Sequence, residues 1–207
     1  PTFSNDNNGS ITFDATDDTI TTPIPVITLS ALSSFTMDCW IKIASYPTAA
    51  APNAYNKVIR NGVIMGATYY SGVAIYWTGN ATGTGFDVYG YIRGADSYRN
   101  TVVYSITTLN KYFNLTLVNS RSDTTLKLYV NGALYSSVAG PTQEYNSGLY
   151  PSAGNIGFNK PQVDGGGENV YSYLAFTLGN AKIHNIALSA QEVLQNYNAT
   201  KSRFGLP

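Results

Sequence analysis

Charged residues make up only 12% of this 207-residue chain, about half the share usual in soluble domains. Lys plus Arg and Asp plus Glu balance at 12 each, so neither sign dominates. That balance excludes the electrostatic footprint of a nucleic-acid binder or of a protein that docks on an anionic membrane. No apolar run reaches membrane-spanning length. The one cysteine, Cys39, cannot form an internal disulfide, so nothing argues for an oxidising compartment. It falls in an alternating apolar row and reads as a buried thiol. With one histidine, His184, beside it, a Cys/His zinc site is excluded by count. No Gly-x-Ser-x-Gly elbow exists to pair with His184, which reads as a structural residue. The three glutamates, Glu144, Glu168 and Glu192, lie far apart in sequence. None stands in a strand pattern that would hold two carboxylates the roughly 5–9 Å apart that glycoside hydrolysis needs.

What the chain has is a hydrophobic content of 43%, sufficient for a core, and 17 tyrosines among many Asn, Thr, Ser and Gly residues. A polar, uncharged, Tyr-rich surface suits contact with sugar or with other protein. The length is that of one domain, residues 1–207. No signal peptide is read at the start. A chain beginning at Pro1 is what remains when an initiator Met is removed before a small residue, and a processed fragment would look the same.

The firmest structural inference is the hairpin Tyr112 to Val138. Phe113, Leu115 and Leu117 alternate with polar residues, as do Leu126, Leu128 and Val130, and period two marks a half-buried strand. A four-residue loop at Arg121–Thr124 sets Leu117 opposite Leu128 and Leu115 opposite Val130, which puts both rows on one face. Asn131-Gly132 then signals a type I′ turn, since both residues must take φ > 0. It returns the chain through Ala133 and Tyr135 on that same inner face. Three consecutive antiparallel strands point to an all-β domain.

Elsewhere, strands are expected at Ser10–Ala15 and Thr19–Thr22, with an Asp-rich turn between them. Phe35–Ile43 points Phe35, Met37, Cys39, Ile41 and Ile43 inward. Asp38, Trp40 and Lys42 face the other way, with Trp40 under a loop or near a sheet edge. Tyr46–Ala54 reads as a loop. Short strands follow around Val58, Val63–Met65, Val73–Trp77, Phe86–Ile92 and Val102–Ile106. After a loop at Gly140–Gly154 come Asn155–Phe158, the Gly-rich tract Pro161–Asn169, and last strands at Val170–Leu178 and Ala181–Leu188. A helix over Ala190–Tyr197 opens with Ser189 as N-cap, Glu192 completing a capping box, and a Leu188/Val193 staple.

Several of these stretches resemble the laminin-G-like (concanavalin A-like) jelly-roll family. LKLYVNG resembles the family's hairpin strand, although Tyr112-Phe113-Asn114 stands where those domains usually have Trp-x-His. GSITFDATDDTITTP is similar to their opening, with Ala15 replacing a common Gly. Phe35-Thr36 followed by Trp40-Ile41 matches again. LGNAKIHNIALSAQEVLQNYNATKSRFG is similar to the family's tail, with His184 where Tyr or another large residue is usual. The extension QNYNATKSRFG looks like one seen especially in bacteriophage structural proteins.

The resemblance implies a jelly-roll β-sandwich of two antiparallel sheets with one short C-terminal helix. It implies a binding or structural role rather than catalysis. The expected function is a non-enzymatic virion protein of a bacteriophage, as capsid decoration, fibre or tail appendage. Such a protein assembles in the host cytoplasm and contacts other virion proteins, copies of itself, or host-surface glycan. The alternatives are a secreted or surface carbohydrate-binding module and, more weakly, a glycoside hydrolase. Tyr69, Tyr70, Trp77, Tyr89, Tyr91 and Tyr98 are the candidates for carbohydrate or protein contact, because aromatic faces stack on sugars and fill interface cores. Many relatives hold Ca²⁺ with loop carboxylates. The candidate ligands here are Asp14, Asp17 and Asp18 in the first turn, and Asp164 with Glu168 in the Gly-rich tract.

Overall fold

The computed structural model describes residues 1–25, 33–46, 60–66, 73–79, 85–93, 98–142, 155–161, 170–171 and 173–207. The chain runs through β1 (Thr2–Ser4), a 3₁₀ turn at Asp6–Asn8, β2 (Ser10–Asp14), β3 (Ile20–Pro25) and β4 (Phe35–Ile43). It continues through β5 (Arg60–Gly66), β6 (Val73–Gly79), β7 (Phe86–Arg93), β8 (Tyr98–Ile106), β9 (Tyr112–Ser120), β10 (Thr125–Val130) and β11 (Ala133–Ala139). The last elements are β12 (Asn155–Pro161), β13 (Val170–Tyr171), β14 (Ala175–His184), α1 (Ala190–Thr200) and a 3₁₀ turn at Lys201–Phe204. The expected strand at Val58, the body of the Tyr46–Ala54 loop, most of the Gly140–Gly154 loop and the Gly-rich tract lie outside the described residues.

The strands form two sheets. One has the order β1-β2-β14-β4-β9-β10-β11, the other β3-β12-β5-β6-β7-β8 with β13 beside β5. All pairings are antiparallel except the short β13–β5 contact. This is the expected jelly-roll sandwich. Among the described residues no helix is long and apolar enough to cross a membrane.

The core lies between the sheets, where Met37, Cys39 and Ile41 of β4 meet Leu115 and Leu117 of β9, Leu126 and Leu128 of β10, and Ile75, Trp77 and Val88 of the other sheet. Burial pushes the Cys39 thiol well above its usual pKa, so it is a packed, unreactive group. The hairpin has the register read from sequence: Leu117 pairs with Leu128 and Leu115 with Val130. Lys127 Nζ closes on Asp123 Oδ2 at 2.7 Å beside the four-residue loop. Asn131 and Gly132 take φ of 51° and 77°, as a type I′ turn requires.

The return strand departs from expectation. Leu128 pairs with Ser136 but Tyr129 pairs with Leu134, so Tyr135 is an extra residue in a bulge. The bulge resets the alternation, giving the inward positions to Ser136 and Val138. Tyr135 is thrown outward and is 54% exposed. Ala133, at the open end of this edge strand, is exposed as well. The chain's end also differs from expectation. In place of strands at Val170–Leu178 and Ala181–Leu188, β14 runs unbroken from Ala175 to His184, with a register shift between Leu178 and Asn180. Gly179 sits at that shift because Phe204 packs directly over it, and a Cβ there would come within 2.3 Å of the ring.

The outer face of the first sheet is covered by the C-terminal segment. Strand β4 is central, so Trp40 is capped there by Phe204 and Tyr197, with ring centroids 4.4 and 5.6 Å away, and lies neither under a loop nor at an edge. Leu188 and Val193 form the expected staple against Val118 and Tyr129. Ser189 Oγ accepts from the Glu192 amide, and Glu192 Oε2 accepts from the Ser189 amide at 2.8 Å, completing the capping box. The helix outruns its expected end at Tyr197 by three residues, because Tyr197 and the following turn are held down on Trp40.

Ser189→Ala should therefore destabilise the protein by about 1 kcal/mol in equilibrium denaturation. Glu192→Ala in that background should add little, since the two side chains act as one box; additive losses would show two independent interactions. The hydrogen bonds from Ser189 hold the Glu192 carboxyl below its ordinary pKa of 4.5. A depressed folded pKa means that this contribution is present above the unfolded value and lost as pH falls through the folded one.

Candidate functional site

On the second sheet three tyrosines come together, mostly sealed. Tyr76 of β6 stacks on Tyr89 of β7 with centroids 5.0 Å apart, and meets Tyr91 edge-on at 6.1 Å. Tyr89 is half-buried, and its hydroxyl pKa is raised first by burial and then by the nearby Asp87 carboxylate. Asp87 accepts a 2.7 Å hydrogen bond from Ser105 on the neighbouring strand. Tyr91 is only 1% exposed and Trp77 is 0% exposed, so neither presents a surface to a ligand. Trp77 falls on the inward row of β6 with Val73 and Ile75 and serves the core. Tyr98 begins β8, and its side chain is not described. Tyr69 and Tyr70 lie outside the described residues. Tyr76 was missed in the sequence, because its place beside Tyr89 depends on strand register.

Asp14, Asp17 and Asp18 do come together, with one oxygen of each within 4.8 Å of the others. One oxygen of Asp14 and both of Asp18 have partners. Thr16 N donates to Asp14 Oδ1 at 2.8 Å and Asp14 N to Asp18 Oδ2 at 3.0 Å, while the amino group of Pro1 contacts Asp18 Oδ1. That amino group is the main reason the Asp18 carboxyl lies below its ordinary pKa. A calcium ion takes about six to eight oxygen ligands, backbone carbonyls and waters among them. As arranged, the cluster stabilises a turn, and its three carboxylates also stand close enough together to serve as ligands of one ion. Ala15 within it takes φ of 68°, the left-handed conformation that explains why family members commonly have Gly there. Asp164 and Glu168 lie outside the described residues.

Asn114, at the family's usual His position, donates from Nδ2 to Asp38 Oδ2 at 2.8 Å. Thr116 Oγ1 reaches the same oxygen at 2.7 Å, so Asp38 is a buried, satisfied structural acid. His184 ends β14 opposite Thr36, whose hydroxyl is engaged in donating to the Ile186 carbonyl and accepting from Leu188 N. Glu192 is used in the helix cap, and Glu144 and Glu168 lie outside the described residues.

A concave surface that sequence reasoning missed is at one end of the sandwich. A cleft of about 340 Å³ opens between the β8–β9 connection and the Asn131-Gly132 turn. Ile106, Phe113, Val130 and Leu206 form its apolar wall, and Thr108, Lys111, Asn131 and Tyr135 bring polar groups to it. Asn131 is fixed there because its Oδ1 accepts from Asn114 N at 2.9 Å, which leaves its amide Nδ2 as donor. Tyr135 reaches the cleft only because of the β11 bulge.

A two-sheet jelly roll with its own C-terminal cover defines the class: a lectin-like β-sandwich domain. The sequence matches the concanavalin A-like lectin/glucanases superfamily, in its laminin-G-like form, over residues 14–194, and the chain belongs to that family. A search of curated proteins finds no match. Among solved structures it is similar to the botulinum neurotoxin type G receptor binding domain, with a TM-score of 0.62 and 16% identity over 96% of this chain and 44% of that one. The binding domain of Paraclostridial Mosquitocidal Protein 1 gives a TM-score of 0.65 and 14% identity over 100% of this chain and 48% of that one. Botulinum neurotoxin type C, whose cell entry is dependent upon interaction with two ganglioside molecules, gives 0.60 and 16% over 93% and 42%. The chain thus spans less than half the length of these structures, and at such identities the likeness is one of fold.

Proposed function

We propose that this chain is a non-enzymatic recognition domain of a bacteriophage particle, a capsid decoration, fibre or tail appendage that meets glycan at the host surface. The observation that carries the glycan contact is the end cleft, where exposed Tyr135 stands beside Lys111, Asn131 and Thr108 over an apolar wall. Sugar sites combine an aromatic platform with a few fixed polar groups in this manner. The particle assignment is supported by the QNYNATKSRFG tail, whose Tyr197 and Phe204 the fold uses to cover Trp40. Docking on a lattice or on further copies is supported by Leu134 and Tyr135, which are 52% and 54% exposed on the edge strand β11. Tyr89 is a second contact candidate on the opposite sheet.

A secreted or surface carbohydrate-binding module is the second reading, and the same cleft favours it. The separating experiment is sedimentation of the purified protein, alone and with particles, together with a glycan array. The virion reading expects an oligomer or co-sedimentation with particles. A strict monomer that binds a defined glycan and is absent from every particle would replace it with the second reading.

A further inference from the structure

The end cleft carries a sharper statement about its ligand than the aromatic content alone. Among the described residues nine line it, and they include one cation, Lys111, and no side-chain carboxylate. Lys111 is exposed and takes part in none of the ion pairs found among the described residues. Lys127 on β10 differs, since its ammonium is paired with Asp123 at 2.7 Å. In a chain whose charges balance overall, the cleft therefore keeps a local positive charge next to an apolar wall. The other polar groups reinforce it: Asn131 accepts through its oxygen from Asn114 N and so brings its amide Nδ2 to the lining as a donor. Thr108 supplies a hydroxyl that can donate as well.

We propose that this cleft selects acidic sugars, with Lys111 receiving a carboxylate while the sugar ring lies against Tyr135. This deepens the glycan reading above and rests on it. A point charge on a flexible stem, helped by an amide donor, suits a carboxylate that protrudes from a ring. The apolar wall of Phe113 and Val130 takes the ring's C–H face, and its low polarity strengthens the ionic contact. Both side chains named as contacts are exposed, so replacing them leaves the core intact.

The test titrates the full chain by calorimetry with a uronate-bearing oligosaccharide and with the same oligosaccharide after its carboxyls have been reduced to alcohols. The acidic form should bind about tenfold or more tightly, the size of one charge-assisted contact. That preference should shrink as salt rises. Lys111→Gln should remove the preference by weakening binding of the acidic form far more than that of the reduced form, and Tyr135→Ala should weaken binding of both forms. Melting curves of both variants should match that of the parent. Equal affinity for the two forms would overturn the acidic selectivity and leave the glycan reading standing. Failure of either form, and of every sugar on an array, to bind would overturn both. Selectivity that survives Lys111→Gln would move the charge-reading group elsewhere and overturn the assignment to this cleft.

Discussion

Alanine at Leu128 is expected to lower the free energy of unfolding by about 2–5 kcal/mol, the range for truncating a packed leucine. Leu128 lies directly opposite Leu117, and both are fully buried. The facing sheet comes unusually close here, because β7 has Gly90 at the contact. A Cβ on Gly90 would approach Leu117 Cδ1 at 2.4 Å and Leu128 Cδ2 at 3.4 Å. With backbone already against the leucines, the sheets have little room to close over a cavity, which favours the upper part of that range. Equilibrium urea denaturation measures it, with an unchanged slope confirming that only stability moved. A loss under about half a kcal/mol would show that this contact is not part of the core.

Phe204→Ala should be comparably severe, at about 3–5 kcal/mol, although the residue lies only three positions before Pro207. Phe204 stacks on Trp40 at 4.4 Å, leans on Tyr112 at 4.8 Å and fills the space over Gly179. The neighbouring Arg203 holds the segment by donating to the carbonyls of Asn7, Gly9 and Gly179. Removing the ring uncovers Trp40, so its fluorescence should shift to the red along with the loss of stability. Phe3→Ala is the control: that ring is 67% exposed and should change stability by no more than about 0.5 kcal/mol. If the two substitutions cost the same, the C-terminal cover is not part of the cooperative unit.

Local signals proved dependable wherever a pattern of adjacent residues had only one good solution. The hairpin register followed from alternation and loop length, and the type I′ turn from Asn131-Gly132. The helix start at Ser189 followed from the capping box and staple. The candidate site was less legible. Trp77 read as an aromatic contact because sequence could not say which face of β6 meets the core. Tyr135 read as inward because an extra residue in β11 is invisible to a period-two count. The three aspartates of the first turn were correctly brought together, but the amides and amino group that occupy their oxygens were not foreseeable from spacing.

The sequence by itself determined the fold class, the family, the central hairpin and the helix cap. The hairpin and the cap rest on interactions between residues near in the chain, or on an alternation that permits only one buried face, whereas the jelly-roll class and the family rest on the resemblance of several motifs. Tertiary structure alone decided where Trp40 is covered, which tyrosines are sealed, and that Lys111, Asn131 and Tyr135 meet at one cleft. Those outcomes depend on strands far apart in sequence packing edge to edge and face to face. A single bulge in β11 and a close approach at Gly179 redirect the side chains involved. Burial is a property of the partner as much as of the residue, and the partner is fixed only when both sheets have closed.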